Sequence, residues 1–140
     1  LLVEEITAAD PDTAETLDLS DGEEVLTITK LFLEDKAPVI LTINRIPSAI
    51  LTSSAYADDE ATPLYEFVER HADRALAYYL SEIVPVVVDG DLAETLGVPE
   101  GTPAISFEEV GFDQDNEPIV RATSFFRDDL LRFALMRRRA

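Results

Sequence analysis

The sequence contains no cysteine and no tryptophan, and it has a single histidine among its 140 residues. The absence of cysteine excludes disulfide scaffolds, thiolate zinc sites and cysteine nucleophiles, and it is compatible with a reducing compartment, so we expect a cytoplasmic protein. No apolar run reaches the roughly 18–20 residues that a membrane helix requires, which predicts no membrane partner. The composition, 46% hydrophobic and 29% charged, is typical of a folded domain. We therefore expect one globular domain over residues 1–140.

Basic residues are scarce. Lysine and arginine total 11 against 29 aspartates and glutamates, which gives a formal net charge of −18. Affinity for nucleic acids depends largely on neutralising phosphates, so this domain alone is not expected to bind DNA. The one basic run, residues 137–139, is more typical of a solvated or helix-terminal cationic segment than of a DNA contact.

Sequence signatures of catalysis are also missing. No nucleophile elbow, phosphate-binding loop or dinucleotide fingerprint occurs. Asp113 and Asp115 have the opening spacing of a calcium loop, but the required glycine turn and closing glutamate do not follow. His71 lies one helical turn after Phe67, a position more typical of a packed or surface residue than of a catalytic base. We predict no enzyme, no cofactor and no metal site.

Two pairs of strands dominate the hydrophobic pattern. Residues 25–33 and 39–46 are rich in β-branched and apolar side chains, and the five residues between them have turn chemistry, which predicts a β-hairpin. Residues 104–112 and 119–126 flank a polar turn and predict a second hairpin. Residues 75–88 are predicted as extended, with Pro85 at a bend or edge position.

Short helices separate these strands in the prediction. Thr62 as N-cap and Pro63 in the first turn indicate a helix that runs to about Arg74. Further short helices are predicted at residues 17–19 (helix or turn), 92–96 and 130–136. Because the strands form hairpins rather than alternating with long helices, the predicted fold class is α+β, an antiparallel β-sheet core with flanking helices.

A few polar side chains on the first hairpin suggest a ligand pocket. Lys30 and Phe32 share one face of the first strand, and Thr42 and Asn44 share a face of its partner. Polar side chains among apolar ones on a core-facing strand are the usual lining of a small-molecule site. The helix start at residues 62–65 adds backbone N–H groups suited to an anion. The same pattern is equally compatible with a solvated face, and the sequence leaves that alternative open.

Four stretches in register resemble the UTRA domains, which are the effector-sensing halves of the HutC branch of GntR-type transcriptional regulators. Residues 30–47 resemble the family's R-x-R-x-x-D-G-x-P…(Y/L)-L-P stretch, and residues 64–67 resemble its S-L-Y-E-L helix start. Residues 96–103 resemble its L-G-V-x-x-G-x-P turn, and residues 113–133 its Y-D-x-x-G-x-P…Y-Y-R-G-D-x-x-x-F ending. Each stretch alone is weak evidence, but four in the right order are specific.

The resemblance implies a chorismate-lyase-like fold with a six-stranded antiparallel core, a homodimer, and a pocket for a small-molecule effector such as a sugar, a sugar phosphate or another metabolite. In the family, operator DNA is bound by a separate N-terminal winged helix-turn-helix domain. We expect that domain to be absent from residues 1–140, so that DNA is a partner only through it.

The sequence departs from the family at several ligand positions. Two arginines that bind sugar phosphates correspond to Lys30 and Phe32, a common carboxylate corresponds to Thr42, and the helix-start serine corresponds to Pro63, whereas the tyrosine is kept as Tyr65. A further acidic position falls at residue 120 or 121. The loss of an arginine fork favours an effector that is less anionic or more apolar. The complete predicted ligand-binding set is Lys30, Phe32, Thr42, Asn44, Tyr65, Arg121, Ser124 and Phe126.

Two other readings of the same sequence remain. A dimerisation module with a degenerate pocket would keep the fold but bind no ligand. A chorismate-lyase-like enzyme would share the fold, but fold alone does not carry function, and no arginine-and-carboxylate constellation for a dicarboxylate substrate is visible.

Overall fold

The computed structural model describes residues 2–52, 61–127 and 134–139. Within these residues six strands form one antiparallel sheet of order β1-β2-β3-β6-β5-β4. The strands are β1 (Leu2–Ala8), β2 (Glu24–Glu34), β3 (Ala37–Pro47), β4 (Tyr78–Val88), β5 (Thr102–Phe112) and β6 (Pro118–Arg127). The α-helices are α1 (Pro11–Thr16), α2 (Leu64–His71) and α3 (Gly90–Leu96), and a 3₁₀ turn covers Ser48–Ile50. The predicted α+β fold class and the six-stranded antiparallel core are confirmed.

Both predicted hairpins are present, and the first is tighter than expected. Strands β2 and β3 pair as far as Glu34 with Ala37, so the connection has two residues instead of five. These two residues, Asp35 and Lys36, both have positive φ, at 49° and 67°. Two consecutive left-handed residues match the twist of a right-twisted hairpin, which lets the ladder extend further than turn composition alone indicates.

The N-terminal segment differs most from the sequence prediction. Strand β1 was not predicted because it lies at the sheet edge with most of its side chains exposed, so it shows no apolar alternation. Residues 17–19, predicted as a helix or turn, begin with a turn at residues 17–18, and the helix that precedes this turn, at Pro11–Thr16, was not predicted. Asp10 is its N-cap and accepts the backbone N–H of Thr13 at 2.9 Å, which fixes the helix start before the leucines.

Helix α2 is shorter than predicted at both ends. It begins at Leu64 with Pro63 as its N-cap, and Thr62 makes no cap, because Pro63 is extended (φ −61°, ψ 148°) and its carbonyl already accepts the N–H of Phe67. The helix ends at His71 rather than near Arg74. The predicted helix at residues 92–96 is confirmed within α3, which stops at left-handed Gly97. Residues 130–133 of the last predicted helix lie outside the described residues, and residues 134–139 have no regular secondary structure.

A hydrophobic cluster lies on each face of the sheet. On one face, the α2 face, the buried side chains of the strands pack against α2; they include Leu26, Ile28, Ile46, Val120, Phe67 and Val68. On the other, the α3 face, they pack against α3 and include Leu41, Val88, Ala104, Ala93 and Leu96. Since α2 covers only part of its face, the remaining strand surface there is available to form a cavity.

Candidate functional site

A cavity of about 330 Å³ lies on the α2 face beside the start of α2. Its floor is formed by side chains from five neighbouring strands: Lys30 and Phe32 of β2, Thr42 and Asn44 of β3, Ala122 and Ser124 of β6, Glu109 of β5 and Tyr79 of β4. Residues 61–64, which lead into α2, form its wall. The volume falls within the range that small-molecule sites occupy, roughly 300–1,000 Å³.

The sheet register brings these residues into two adjacent rows. In one row Lys30 lies opposite Thr42, which lies opposite Ser124. In the next row Asn44 lies opposite Ala122, which lies opposite Glu109. Alternate residues of a strand point to the same face, so both rows face the cavity. The predicted mixed polar lining therefore faces a recess in the α2 face that is open to solvent on one side.

Among the described residues, the two charged side chains of the floor each have one hydrogen-bonding partner. The Nζ atom of Lys30 donates to the Thr62 carbonyl at 2.8 Å, which links β2 to the wall. The Oγ atom of Ser81 donates to Oε2 of Glu109 at 2.6 Å. An ammonium has three donors and a carboxylate about four acceptor positions, so both groups retain capacity for a ligand.

The polar side chains between these charges have no partner in the described parts of the chain. Asn44 and Ser124 are each only 9% exposed, Thr42 is half-buried, and no hydrogen bond satisfies their side chains there. Buried polar groups in native proteins are nearly always hydrogen-bonded, to protein or to water. The polar atoms of these three side chains are not fully enclosed, so water or a ligand in the cavity can bond to them.

Tyr79 and Gly111 shape the β4 end of the cavity. Tyr79 is 40% exposed overall, yet its hydroxyl is enclosed enough that burial, and then the negative charge of Glu109, raise its pKa to about 12. The hydroxyl therefore stays protonated near neutral pH. A Cβ atom on Gly111 would lie 2.6 Å from Leu76 Cδ2 and 3.1 Å from Tyr79 Cε1, so only glycine lets the tyrosine ring lie close to β5.

Five of the eight predicted ligand-binding residues line this cavity: Lys30, Phe32, Thr42, Asn44 and Ser124. Tyr65 does not line it, because its side chain is 58% exposed on α2, one residue after the lining Leu64. Phe126 lies on the same face but is not among the lining residues, and its ring packs against Phe107 with the centroids 5.0 Å apart.

The structure places Arg121 outside this cavity. Residues 122 and 124 face the cavity, so strand alternation turns Arg121 to the α3 face. There its guanidinium donates to Thr13 Oγ1 at 2.8 Å and lies 3.6 Å from Asp10. Neighbouring Arg45 lies 3.9 Å from Asp10, and burial, followed by the charge of Arg121, lowers the pKa of Arg45. Arg121 helps to hold α1 on the sheet.

The sequence analysis did not predict that Tyr79 and Glu109 line the site. It treated residues 62–63 only as the start of a helix and not as a wall of the cavity. The signal for Glu109 was a charge inside an otherwise half-buried strand. It could not be interpreted without the register, because Glu108 and Glu109 are consecutive and only one of them can face the cavity.

Other features of the described residues do not form a comparable site. A second cavity of about 370 Å³ is bordered by Arg74, whose guanidinium already pairs with Asp113 at 2.8 Å. Asp113 also accepts the backbone N–H groups of Asp115 and Glu117, so it closes a turn. His71 packs against Phe67. In the described residues there is no metal-ligand cluster, and no helix is long and apolar enough to cross a membrane.

The fold is similar to that of several solved structures. A GntR-family regulator from Enterococcus faecalis V583 matches with a TM-score of 0.82 and 16% identity over 96% of both chains. PhnF from Mycobacterium smegmatis matches with a TM-score of 0.83 and 24% identity over 99% of this chain, which spans 62% of PhnF. The C-terminal domain of Yurk from Bacillus subtilis matches with a TM-score of 0.84 and 12% identity, over 94% of this chain and 91% of that one. These likenesses establish the fold.

The family follows from the sequence as a whole. The UTRA domain family model matches residues 1–132, and the chain belongs to this family. UTRA domains are the effector domains of GntR-family transcriptional regulators, so the prediction of a regulatory domain rather than an enzyme is confirmed. Comparison with curated proteins gives no significant match.

Proposed function

We propose that this domain senses a small metabolite in the cavity of the α2 face, and that it does so within a regulator of the HutC branch of the GntR family. The observation that carries the proposal is the group of Thr42, Asn44 and Ser124, which are buried or half-buried, face the cavity and lack partners in the described residues. A bound effector would supply the hydrogen bonds that these groups lack, and each such bond contributes about 1 kcal/mol.

Regulation by the effector requires a second domain. With a net charge of −18, this domain has the wrong sign for DNA, and we propose that operator binding belongs to a winged helix-turn-helix domain of the same regulator. The effector alters operator affinity only if it binds two arrangements of the regulator with different affinities. The Lys30–Thr62 hydrogen bond offers a local starting point, because a ligand that engages Lys30 also acts on the segment leading into α2.

We also propose that two copies of the domain associate through β4. This strand lies at one edge of the sheet and pairs only with β5 among the described strands. Its exposed apolar side chains, Tyr78, Leu80, Ile83 and Val87, are 45–68% exposed along 11 residues. Long apolar edge strands are the usual template for strand pairing between chains, and an antiparallel pair of identical strands forms a closed two-fold dimer.

A thermal-shift screen over sugars, sugar phosphates, amino acids and small carboxylates tests the sensing function. A ligand at 100 times its Kd stabilises a protein by about 2.7 kcal/mol, so a specific effector gives a clear rise in Tm. Thr42→Val should remove about a third of the rise, because the loss of one hydroxyl at constant size removes about 1 kcal/mol of binding.

Thr29→Val is the matched control, since Thr29 is an equally half-buried threonine of the paired strand on the opposite face of the sheet. Ligand binding that Thr42→Val and Asn44→Leu both leave unchanged would disprove this site. A dimer that responds to no class of compound would favour the dimerisation module instead.

A further inference from the structure

The two ends of the cavity carry opposite charges. Lys30 lies at the β2 end, and Glu109 lies at the β5 end, where Tyr79 also lines the cavity. Lys30 was expected from the sequence, but Glu109 was not, and its carboxylate changes the chemistry that the cavity selects. A site with one cation and one anion is electrically balanced, whereas a site for a phosphate concentrates cations.

The charges are too far apart for one small group to contact both. Strands β3 and β6 lie between β2 and β5, and with neighbouring strands about 4.8 Å apart the backbones of Lys30 and Glu109 are separated by roughly 14 Å across the sheet. The Lys30 ammonium binds the Thr62 carbonyl, and the Glu109 carboxylate binds Ser81 of β4, on the side of β5 away from β2. The amino and carboxyl groups of a single α-carbon would therefore not span the gap between them. A ligand that satisfies both charges must be elongated.

The middle of the cavity suits an uncharged linker. Thr42, Asn44 and Ser124 can each donate and accept hydrogen bonds, while Phe32, Ala122 and Leu64 supply apolar surface. No further positive side chain lines the cavity among the described residues. A dianionic phosphate would therefore meet one ammonium, one repelling carboxylate and the field of a domain with a charge of −18.

We infer, on the basis of the proposed function, that the effector is an elongated zwitterion with a carboxylate at Lys30 and a primary ammonium at Glu109. Thr42 and Ser124 lie in the same row as Lys30 and would donate to the carboxylate. Glu109 would accept from the ammonium. The Ser81 hydroxyl donates to Glu109 Oε2 and holds the carboxylate in place, and Tyr79 lines the same end of the cavity.

Calorimetric titration with δ-aminovalerate tests this inference directly. We expect it to bind more tightly than valerate, which lacks the ammonium, and than n-pentylamine, which lacks the carboxylate. Hydrogen bonds to charged groups are worth about 1.5–3 kcal/mol, so each comparison should show a difference of about tenfold or more in Kd. Glycine, with both charges on one short unit, should bind at least as weakly as either half-ligand.

Two variants test which residue of the cavity binds each charged group of the ligand. Glu109→Gln should abolish the preference for δ-aminovalerate over valerate, and Lys30→Gln should abolish the preference over n-pentylamine. Glu82→Gln, an exposed glutamate of β4 on the opposite face, is the matched control and should change neither preference.

The failure of this inference is distinct from the failure of the proposed function. Tighter binding of glycerol phosphate or glucose than of δ-aminovalerate, weakened in Thr42→Val but unchanged in Glu109→Gln, would overturn the zwitterion and leave the sensing site intact. Absence of binding by δ-aminovalerate would also overturn the inference, whereas the sensing function falls only if the full screen gives no ligand sensitive to Thr42 or Asn44.

Discussion

Gly111 shows how one residue without a side chain shapes the site. The side chains of Leu76 and Tyr79 pack directly over its α-carbon. A Cβ atom at this position would also lie 3.3 Å from the Cβ atom of Val120. Since the backbone is buried and closely surrounded, these neighbours cannot all move away without disturbing the α2-face core.

We therefore predict that Gly111→Ala destabilises the domain by about 1–3 kcal/mol through overpacking and displaces Tyr79 from the cavity. Chemical denaturation measures the first effect, and ligand affinity measures the second. Leu76→Ala in the same chain removes the 2.6 Å contact and should restore part of the stability. A neutral Gly111→Ala substitution would show that the strand is free to shift.

Asp113 gives a residue-scale prediction about pH. The backbone N–H of Glu117, together with the Arg74 guanidinium and the N–H of Asp115, lowers the pKa of this carboxyl in the folded protein. A folded-state pKa below the unfolded value of about 3.9 means that the charge stabilises the fold above that pH. The stabilisation is lost as the pH falls through the folded-state pKa.

Asp113→Asn should therefore lower the free energy of unfolding at pH 7, and the difference from the original protein should shrink in acid below about pH 4. Urea denaturation at several pH values measures both. Asp21→Asn, an exposed aspartate in a turn, is the control and should change little at any pH. A difference that stays constant with pH would assign the effect to packing instead of charge.

At the scale of single elements, the short helix α1 depends on its cap. Asp10 accepts hydrogen bonds from both the N–H and the hydroxyl of Thr13, at 2.9 and 2.8 Å. Thr13 is fully buried, and its hydroxyl oxygen also accepts a hydrogen bond from Arg121 of β6. A six-residue helix has little intrinsic stability, so its cap and its contacts with the sheet decide whether it forms.

Asp10→Ala should cost about 1 kcal/mol of stability, the usual loss for an N-cap. Asp10→Asn should cost less, because an amide oxygen still accepts the Thr13 N–H. Asp12→Ala, in the first turn without a capping role, is the control, and thermal or chemical unfolding gives the comparison. Equal losses for the Asp10 and Asp12 variants would contradict the capping role.

Elements were predictable from the sequence where a local pattern determines them. The two hairpins and α3 follow from β-branched runs, turn residues and Gly97, all of which act within a few residues. Strand β1 was not predicted because an exposed edge strand has no buried face to create an apolar periodicity. The start of α1 was not predicted because the capping residue Asp10 determines it, whereas the prediction relied on the leucines at positions 17 and 19.

The candidate site was predictable only in part for a related reason. Lys30, Phe32, Thr42 and Asn44 share a hairpin, so alternation alone places them together. The faces of Arg121 and Glu109 depend on the pairing of β6 with β3, which joins residues about 80 positions apart, and on the register of the β5–β6 hairpin. A one-residue difference in register reverses the face of every side chain, and the sequence does not set that register by itself.

At the scale of the whole molecule, the exposed edge of β4 predicts the oligomeric state. Leu80→Lys combined with Ile83→Lys should convert a dimer into a monomer in analytical ultracentrifugation, because the new charges would be buried against the partner chain. Val3→Lys on β1, the opposite edge of the sheet, is the control, as Val3 is 46% exposed. A dimer that survives the β4 substitutions would place the interface elsewhere.

The net charge also gives a prediction for the isolated domain. It should not shift duplex DNA in a gel even at low salt, where electrostatic attraction is strongest, because a charge of −18 repels phosphates. Binding under these conditions would contradict the assignment of operator recognition to another domain.

The pairing of β3 with β6 determines how ligand binding in the cavity can be detected. This ladder is where the N-terminal half of the sheet meets the C-terminal half, and the cavity floor takes Lys30, Thr42 and Asn44 from one half and Glu109, Ala122 and Ser124 from the other. A small molecule that binds both halves would hold together the pairing that, among the described strands, joins the residues most distant in sequence. Amide protons along β3 and β6 should then exchange more slowly with solvent when the ligand is bound, whereas the exchange of those along β1 should not change.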